Sequence, residues 1–394
     1  MKKHLLSTSA IALAVASVGA PGSAQEWDMK WGGYHSSHVG YVNVDSNTPA
    51  HIGGDFDGVD VYTEAEIQFT PSVKLDNGLT FGVNVQYEST TNGGAFVDES
   101  YLTISSDTLG KIDIGNENSV GYKMIVTAPQ VDGSIWINSP SISGFIPISV
   151  SVGGNLPWNF RQSAISAYAE VLGNNDVPRI SYYTPSFNGL TLGVSYAASS
   201  NVLGSGVNAG NNFGVNRNIG VNDIFDIAVA YTQSFNGVDI DLAARWGTAS
   251  NDTGTPGTDD PEIWGLGGTI GYAGFVFGGS YVENDNGDLI PDEEGWALGA
   301  TYDIPGPWLI GIDTYQGQYN GTGAGNGDQA EFEAYQIIGN REIGPGVSWA
   351  IYAVYAEGTV NNDAGGTFSA IAGQAVGNTS VEGTLIGTSI NLSF

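Results

Sequence analysis

The most concentrated chemistry in this chain is carboxylate chemistry. Asn284-Asp285-Asn286-Gly287-Asp288, followed by Asp292, Glu293 and Glu294, is a run of hard oxygen donors, and Ca²⁺ takes about six to eight such oxygens. The spacing is not that of a full EF-hand loop. Two readings stand: Asp285, Asp288, Asp292 and Glu293 hold Ca²⁺, or the run is an acidic, solvated loop. Asp252, Asp259, Asp260 and Glu262 form a second such group. Cysteine chemistry is excluded, because the chain has 0 Cys. His35 and His38 are three apart, so on a strand they face opposite sides and cannot share a metal. An enzyme needs a nucleophile with a base in reach, and no Gly-x-Ser-x-Gly elbow precedes a helix. The expectation is a non-enzymatic protein that requires no cofactor, with a hydrolase as the enzymatic alternative.

These side chains must be positioned by extended chain. Val61, Ala65, Ile67, Phe69, Val73 and Leu75 alternate with Tyr62, Glu64, Glu66, Gln68, Ser72 and Lys74. A period of two is a strand signal. Asp76-Asn77-Gly78 then makes a tight turn, and Phe81, Val83, Val85 and Tyr87 resume the pattern against Asn84, Gln86 and Glu88. The unit recurs over Phe225–Tyr231, Val238–Trp246 and Trp296–Tyr302, and the chain closes on Ile386, Ile390, Leu392 and Phe394. Counting such segments predicts about sixteen strands. Every second connection is tight, as at Phe187-Asn188, Phe235-Asn236 and Pro305-Gly306, whereas the others are long and rich in Asn, Asp, Gly and Thr. An even count puts both termini on the short-turn side.

Composition narrows the class. Lys plus Arg is 11 against 41 Asp plus Glu, a formal charge of −30 over 394 residues. Such a surface repels nucleic acid, which binds clustered cations. Aromatics at 11% are too abundant for an acidic disordered chain. Lys2 and Lys3, a short apolar stretch from Leu5 to Val18, and Gly22-Ser23-Ala24 read as a secretory signal peptide over 1–24. Residues 25–394 then form one domain. That apolar stretch is too short to span a bilayer, and no later segment offers about eighteen consecutive apolar residues.

An exported chain of this kind is a soluble β-rich protein or a membrane barrel. A sandwich has no reason to place all long loops at one end, whereas a membrane barrel does. Aromatics sit near strand ends, with Phe81, Phe235, Phe275, Trp308 and Phe394 towards the short turns. Tyr87, Tyr196, Tyr231, Trp246, Trp264, Tyr281, Trp296 and Tyr355 are assigned to the loop end. Two such belts match the girdles of a spanning barrel. The other face carries Glu64, Glu66, Asp113, Asp239, Asp241 and Asp313, which a dry core would not tolerate and a water-filled interior would. A barrel of about sixteen strands is wide enough for an aqueous channel. The expected fold is therefore all-β, a 16-stranded antiparallel transmembrane β-barrel.

The stretches Leu75-Asp76-Asn77-Gly78-Leu79-Thr80-Phe81-Gly82, Asp98-Glu99-Ser100-Tyr101-Leu102, Leu109-Gly110 through Gly115, and Gly121-Tyr122-Lys123-Met124 resemble the Gram-negative general porins, specifically the alphaproteobacterial (rhodobacterial) type. The resemblance is tight over 60–124 and lies in the pattern elsewhere. Phe394 also matches; in that family it is part of the signal read by the barrel-insertion machinery. The resemblance implies a homotrimer in the outer membrane of a Gram-negative bacterium, in contact with lipid and lipopolysaccharide. It further implies a water-filled channel for passive diffusion of small hydrophilic solutes and ions, with a long third loop folded into the pore.

The connection after Asn116 runs to Val177, far beyond ordinary loop length. Its first part, Glu117 to Arg161, is expected to line the constriction, with Glu117 and Asp132 supplying negative charge. Lys74, Lys111, Arg179 and Arg245 fall on the inward faces of their strands and would form an opposing basic cluster. Nine basic residues remain after export, so the positive side is thin and cation preference is expected. Ile142 to Val152 and Ala164 to Leu172 could form an extra hairpin, giving eighteen strands. A solute-specific channel is the alternative function.

Overall fold

The computed structural model describes residues 26–47, 53–90, 95–132, 135, 137–138, 167–199, 214–289, 291–320, 329–362 and 377–394. The strand segments are β1 (Trp31–Ser46), β2 (Gly58–Phe69), β3 (Ser72–Lys74), β4 (Thr80–Thr90), β5 (Ala95–Ser106), β6 (Gly110–Glu117), β7 (Val177–Tyr183), β8 (Leu190–Ser199) and β9 (Gly220–Phe235). They continue as β10 (Val238–Asp252), β11 (Glu262–Tyr272), β12 (Phe275–Asp285), β13 (Asp292–Ile304), β14 (Trp308–Asn320), β15 (Gln329–Gly344), β16 (Val347–Asn362) and β17 (Gly377–Ser393). One short helix, α1, covers Val120–Lys123.

Apart from β2 and β3, which do not pair with each other, each strand pairs antiparallel with its chain neighbours, and β1 pairs with both β2 and β17. The sheet therefore closes on itself and leaves no edge, as backbone in hydrocarbon requires. The ring has sixteen strands, because β3 adds none: β2 and β3 both pair with β4 and lie along one line. The continuous alternation read from Val61 to Leu75 breaks at Thr70-Pro71 because proline has no amide to donate. The local ladder is re-made by other partners: Thr70 donates to Lys30 O at 3.0 Å, and Val83 donates to Pro71 O at 3.0 Å. Of the extra hairpin considered above, 142–152 lies outside the described residues, and 167–172 contains no strand. The signal peptide also lies outside the described residues.

The tight connections have the dihedrals that two-residue hairpins need. Asn236 and Gly237 both adopt positive φ, at 51° and 81°, the pattern that matches strand twist. The outward face is apolar and bare: Leu242, Leu266, Ile270, Leu298, Ile312 and Ile337 are all exposed. The inward face holds Glu64, Glu66, Asp113, Arg179, Asp226 and Arg245, all buried. That polarity is the inverse of a soluble protein's and fits a lipid-facing wall.

Rings mark both rims. At the loop end Phe225 meets Trp246 at 6.4 Å, and Trp264 meets Tyr281 at 5.2 Å. At the turn end Phe275 stacks on Tyr302 at 4.1 Å. One assignment changes. β9 enters from a long loop and leaves at the Asn236 turn, so Tyr231 lies on the turn side and Phe225 holds the loop-end place. Strand direction, not residue type, decides which belt an aromatic joins. Pairing also runs past the alternation at the loop end; β10 reaches Asp252, beyond the Val238–Trp246 pattern. Beyond the bilayer neither face need be apolar, so pairing continues where alternation stops.

The inward face is not polar all round. From β13 to β1 it carries Ala297, Tyr315, Phe332, Ile338, Tyr352, Leu385 and Val42, which form one buried cluster with Ala128, Ile135 and Ile137 of the third connection. A dry core lies inside the barrel, between its wall and the chain folded into it.

Candidate channel constriction

The third connection leaves β6 at Glu117, and both its ends are tied to one set of buried charges. Glu117 accepts from Ser181 Oγ at 2.7 Å and from Lys123 Nζ at 2.9 Å, and its carbonyl accepts from Arg179 Nε at 3.3 Å. Ser119 caps α1 by accepting from the Tyr122 amide at 3.1 Å. The Ser119 amide donates to Glu170 Oε1, at the returning end, at 2.6 Å. Asp226 of β9 sits between Arg245 at 2.6 Å and Arg179 at 3.5 Å. Arg179 also donates to Asn174 O at 3.1 Å, and Arg245 donates to Ala169 O. A Cβ at Gly121 would overlap the Arg245 guanidinium, so this position admits only glycine without displacement. Both arginine side chains and Asp226 are fully buried. Removing one member of such a set costs about 3–5 kcal/mol, because a buried charge is left unpaired.

Beyond this anchor the chain lies against the inner wall on a line of glycines. A Cβ at Gly193 of β8 would strike Met124 and Val120, and one at Gly267 of β11 would strike the Val126 carbonyl. At Gly299 of β13 and Gly311 of β14 it would meet Ala128 and Val131. Thr127 Oγ1 and Ser280 Oγ, 2.6 Å apart, and Asn138 Nδ2, 2.8 Å from Thr127 Oγ1, add polar ties. At the far side Asp132 accepts from Asn391 Nδ2 at 2.6 Å and Asn340 Nδ2 at 3.4 Å. The connection thus crosses the lumen along β8 to β17.

The wall that the described residues of the connection leave uncovered is acidic. Glu64 and Glu66 of β2, Glu88 of β4 and Asp98 and Glu99 of β5 face inward there. Glu99 is held by Gln86 at 3.0 Å and the Asn118 amide at 3.1 Å, with Lys123 at 3.4 Å. Among the described residues, no Lys or Arg lies within 4.0 Å of Glu64, Glu66, Glu88 or Asp98. A cavity of about 570 Å³ beside this wall is lined by Tyr34, Ser36, Glu64, Asp132, Glu342 and Asn391. Asp176, just before β7, is pushed up to about 8 by burial and by the neighbouring Asp98 and Glu99 carboxylates.

The expected site residues fall in different places. Glu117 and Arg179 share one wall instead of facing each other across the pore, and Arg245 belongs to the same buried network. Asp132 lies on the far side, against β15 and β17. Lys111 pairs with Asp113 at 2.7 Å and covers the Tyr183 ring at 4.3 Å. Lys74 is exposed next to the Asp76-Asn77-Gly78 turn, away from the constriction. Arg161 lies outside the described residues. Phe394 is exposed at the turn-end rim, its backbone exchanging two hydrogen bonds with Gly33 at 3.1 Å each.

In the acidic loop, Asp285 accepts from the Gly287 amide at 2.8 Å and Asp292 from the Asn286 amide at 2.9 Å. Glu293 is buried, while Asp288 adopts a left-handed φ of 57°. Among the described residues, no three Asp, Glu or His side chains converge as a metal site. Asp226, Glu170, Lys123 and the wall glycines are the functional residues that sequence reasoning missed. Asp226 was visible only as a polar residue alternating with Phe225 and Ile227.

Comparison with known proteins agrees with this geometry. The family model described as Gram-negative porin matches residues 7–364. A search of curated sequences finds no match. Among solved structures, an anion-selective porin from Comamonas acidovorans shares 17% identity at a TM-score of 0.56, over 94% of this chain and 100% of that one. Salmonella typhi OmpF, in a complex with daunomycin, shares 15% identity at 0.58, over 94% and 98%. OmpT, an outer membrane protein of Vibrio cholerae in trimer form, shares 9% at 0.55, over 93% and 99%. At these identities the likeness is one of fold, and it does not single out the alphaproteobacterial type.

Proposed function

Because the chain belongs to the Gram-negative porin family, and is therefore an outer-membrane channel for passive diffusion, we propose that its pore passes small hydrophilic solutes and ions with a preference for cations. One observation carries the preference. Glu64, Glu66, Glu88 and Asp98 line the open side of the lumen without a basic partner among the described residues, while Arg179 and Arg245 are neutralised behind the third connection. Carboxylates along a water-filled passage raise the local cation concentration and repel anions. At 17% identity the likeness to the anion-selective neighbour is one of fold alone, so its selectivity carries no weight here.

The same reading takes residues 1–24 as an export signal and 25–394 as the barrel, with Phe394 read during insertion. Three copies would assemble, in keeping with the trimer form of the Vibrio cholerae protein. Reversal potentials across a planar bilayer in a KCl gradient test the preference. The expected sign is that of K⁺ flow, and E64Q with E66Q should lower the K⁺ to Cl⁻ permeability ratio. A wild-type reversal potential of the anion sign would refute the proposal.

A further inference from the structure

Six of the eight described basic residues lie within 4.0 Å of a carboxylate. Lys74 and Arg341 are the other two, and Lys74 is on the lumen side. Arg341 is on the outward face of β15 near its turn end, with Trp308 of β14 and Trp349 of β16 directly opposite it in register. Its guanidinium carbon is 5.9 Å from the Trp308 ring centroid. The two indoles meet edge-on at 5.6 Å. The Trp308 ring lies over Gly339, where an added Cβ would touch it at 3.5 Å. Trp349 Nε1 donates to Thr388 Oγ1 at 2.7 Å, which fixes the second ring.

Above this platform, towards mid-height, the outer wall is hollowed. Small residues Ala300, Gly339 and Ala353 let an apolar concavity of about 600 Å³ form, flanked by Phe277, Ile351 and Ile386. That volume is within the range of about 300–1,000 Å³ typical of ligand sites. Cation, aromatic platform and apolar hollow follow one another up the same three strands.

We propose that Arg341, Trp308, Trp349 and this hollow bind one anionic glycerophospholipid of the periplasmic leaflet, headgroup phosphate on the guanidinium and acyl chain in the hollow. Short turns face the periplasm in outer-membrane barrels; the choice of leaflet rests on that orientation and so on the channel reading above. Aromatic belts lie at headgroup level, and the guanidinium fork matches a phosphate bidentately. The net charge of −30 repels anionic headgroups from the molecule as a whole, so an outward arginine with no carboxylate within 4.0 Å among the described residues marks where one is held.

The purified full-length protein in detergent is incubated with phosphatidylglycerol or phosphatidylcholine, and retained lipid is read by native mass spectrometry. Phosphatidylglycerol should be retained in preference. R341Q should weaken its retention about five- to tenfold and that of phosphatidylcholine, whose phosphate is neutralised by its own choline, by less, and G339L, which fills the hollow, should weaken both. Equal retention of the two lipids by wild type, or undiminished phosphatidylglycerol on R341Q, overturns the proposal. So does a shift in oligomeric state with lipid retention unaltered, which would make a second copy the occupant. Neither variant faces the lumen, so both should conduct as wild type. A wild type without conductance would count against the channel reading, separately from the lipid result.

Discussion

Asp226 lies between Arg179 and Arg245 and withdraws both guanidinium charges from the pore, with Glu170 3.8 Å from Arg245. Reading inward-facing arginines as a pore-lining cluster is sound from strand parity alone, but parity says only which side a residue faces. It does not say what lies between it and water. Asp176 shows the converse effect, a carboxyl kept protonated near neutrality by burial and by Asp98 and Glu99. Its folded pKa is raised above the ordinary value, so its contribution is fully present at acid pH and is lost as pH rises from about 4 to about 8. D176N, which cannot ionise, should therefore gain thermal stability over wild type progressively across that window and hold a constant gap above it. The midpoint of heat-induced unfolding, followed by electrophoretic mobility from pH 4 to pH 9, measures this. A gap that does not change with pH would mean that Asp176 ionises freely.

Strands are the elements the sequence exposes best, because lipid on one side and solvent on the other enforce a period of two. The sixteen-strand ring and its short turns were legible on that basis, whereas insertion of the third connection was implied by the porin resemblance. The course of the connection was not legible. Gly193, Gly267, Gly299 and Gly311 are scattered among 58 glycines, and only closure of the barrel aligns them into a track. Likewise Phe332 and Tyr352 read as ordinary alternation partners, because an inward apolar residue signals a buried loop only once that loop's position is known. The track gives an element-level prediction. G299L should drive the connection at Ala128 away from the wall and into the passage, lowering single-channel conductance and costing about 1–3 kcal/mol of stability. G344A, where no atom lies within 4 Å of an added Cβ, is the matched control and should conduct as wild type. Equal conductance in the two variants would show that the connection can yield without narrowing the passage.

At the scale of the whole molecule, the proposed cation preference acts over distances set by screening. The Debye length is about 10 Å at 0.1 M salt and about 3 Å at 1 M. Cation preference should accordingly be strong in dilute KCl and decline towards the bulk mobility ratio in concentrated KCl, as reversal potentials at the two strengths would record. A preference independent of salt would place discrimination in size rather than charge. The seam between β1 and β17, where Tyr34 faces Ser393 and Ser46 faces Val381, has a temporal consequence. The first strand to leave the ribosome waits for the last before its outer ladder is satisfied. Until then every partly closed copy presents a raw margin competent to zip onto a sibling.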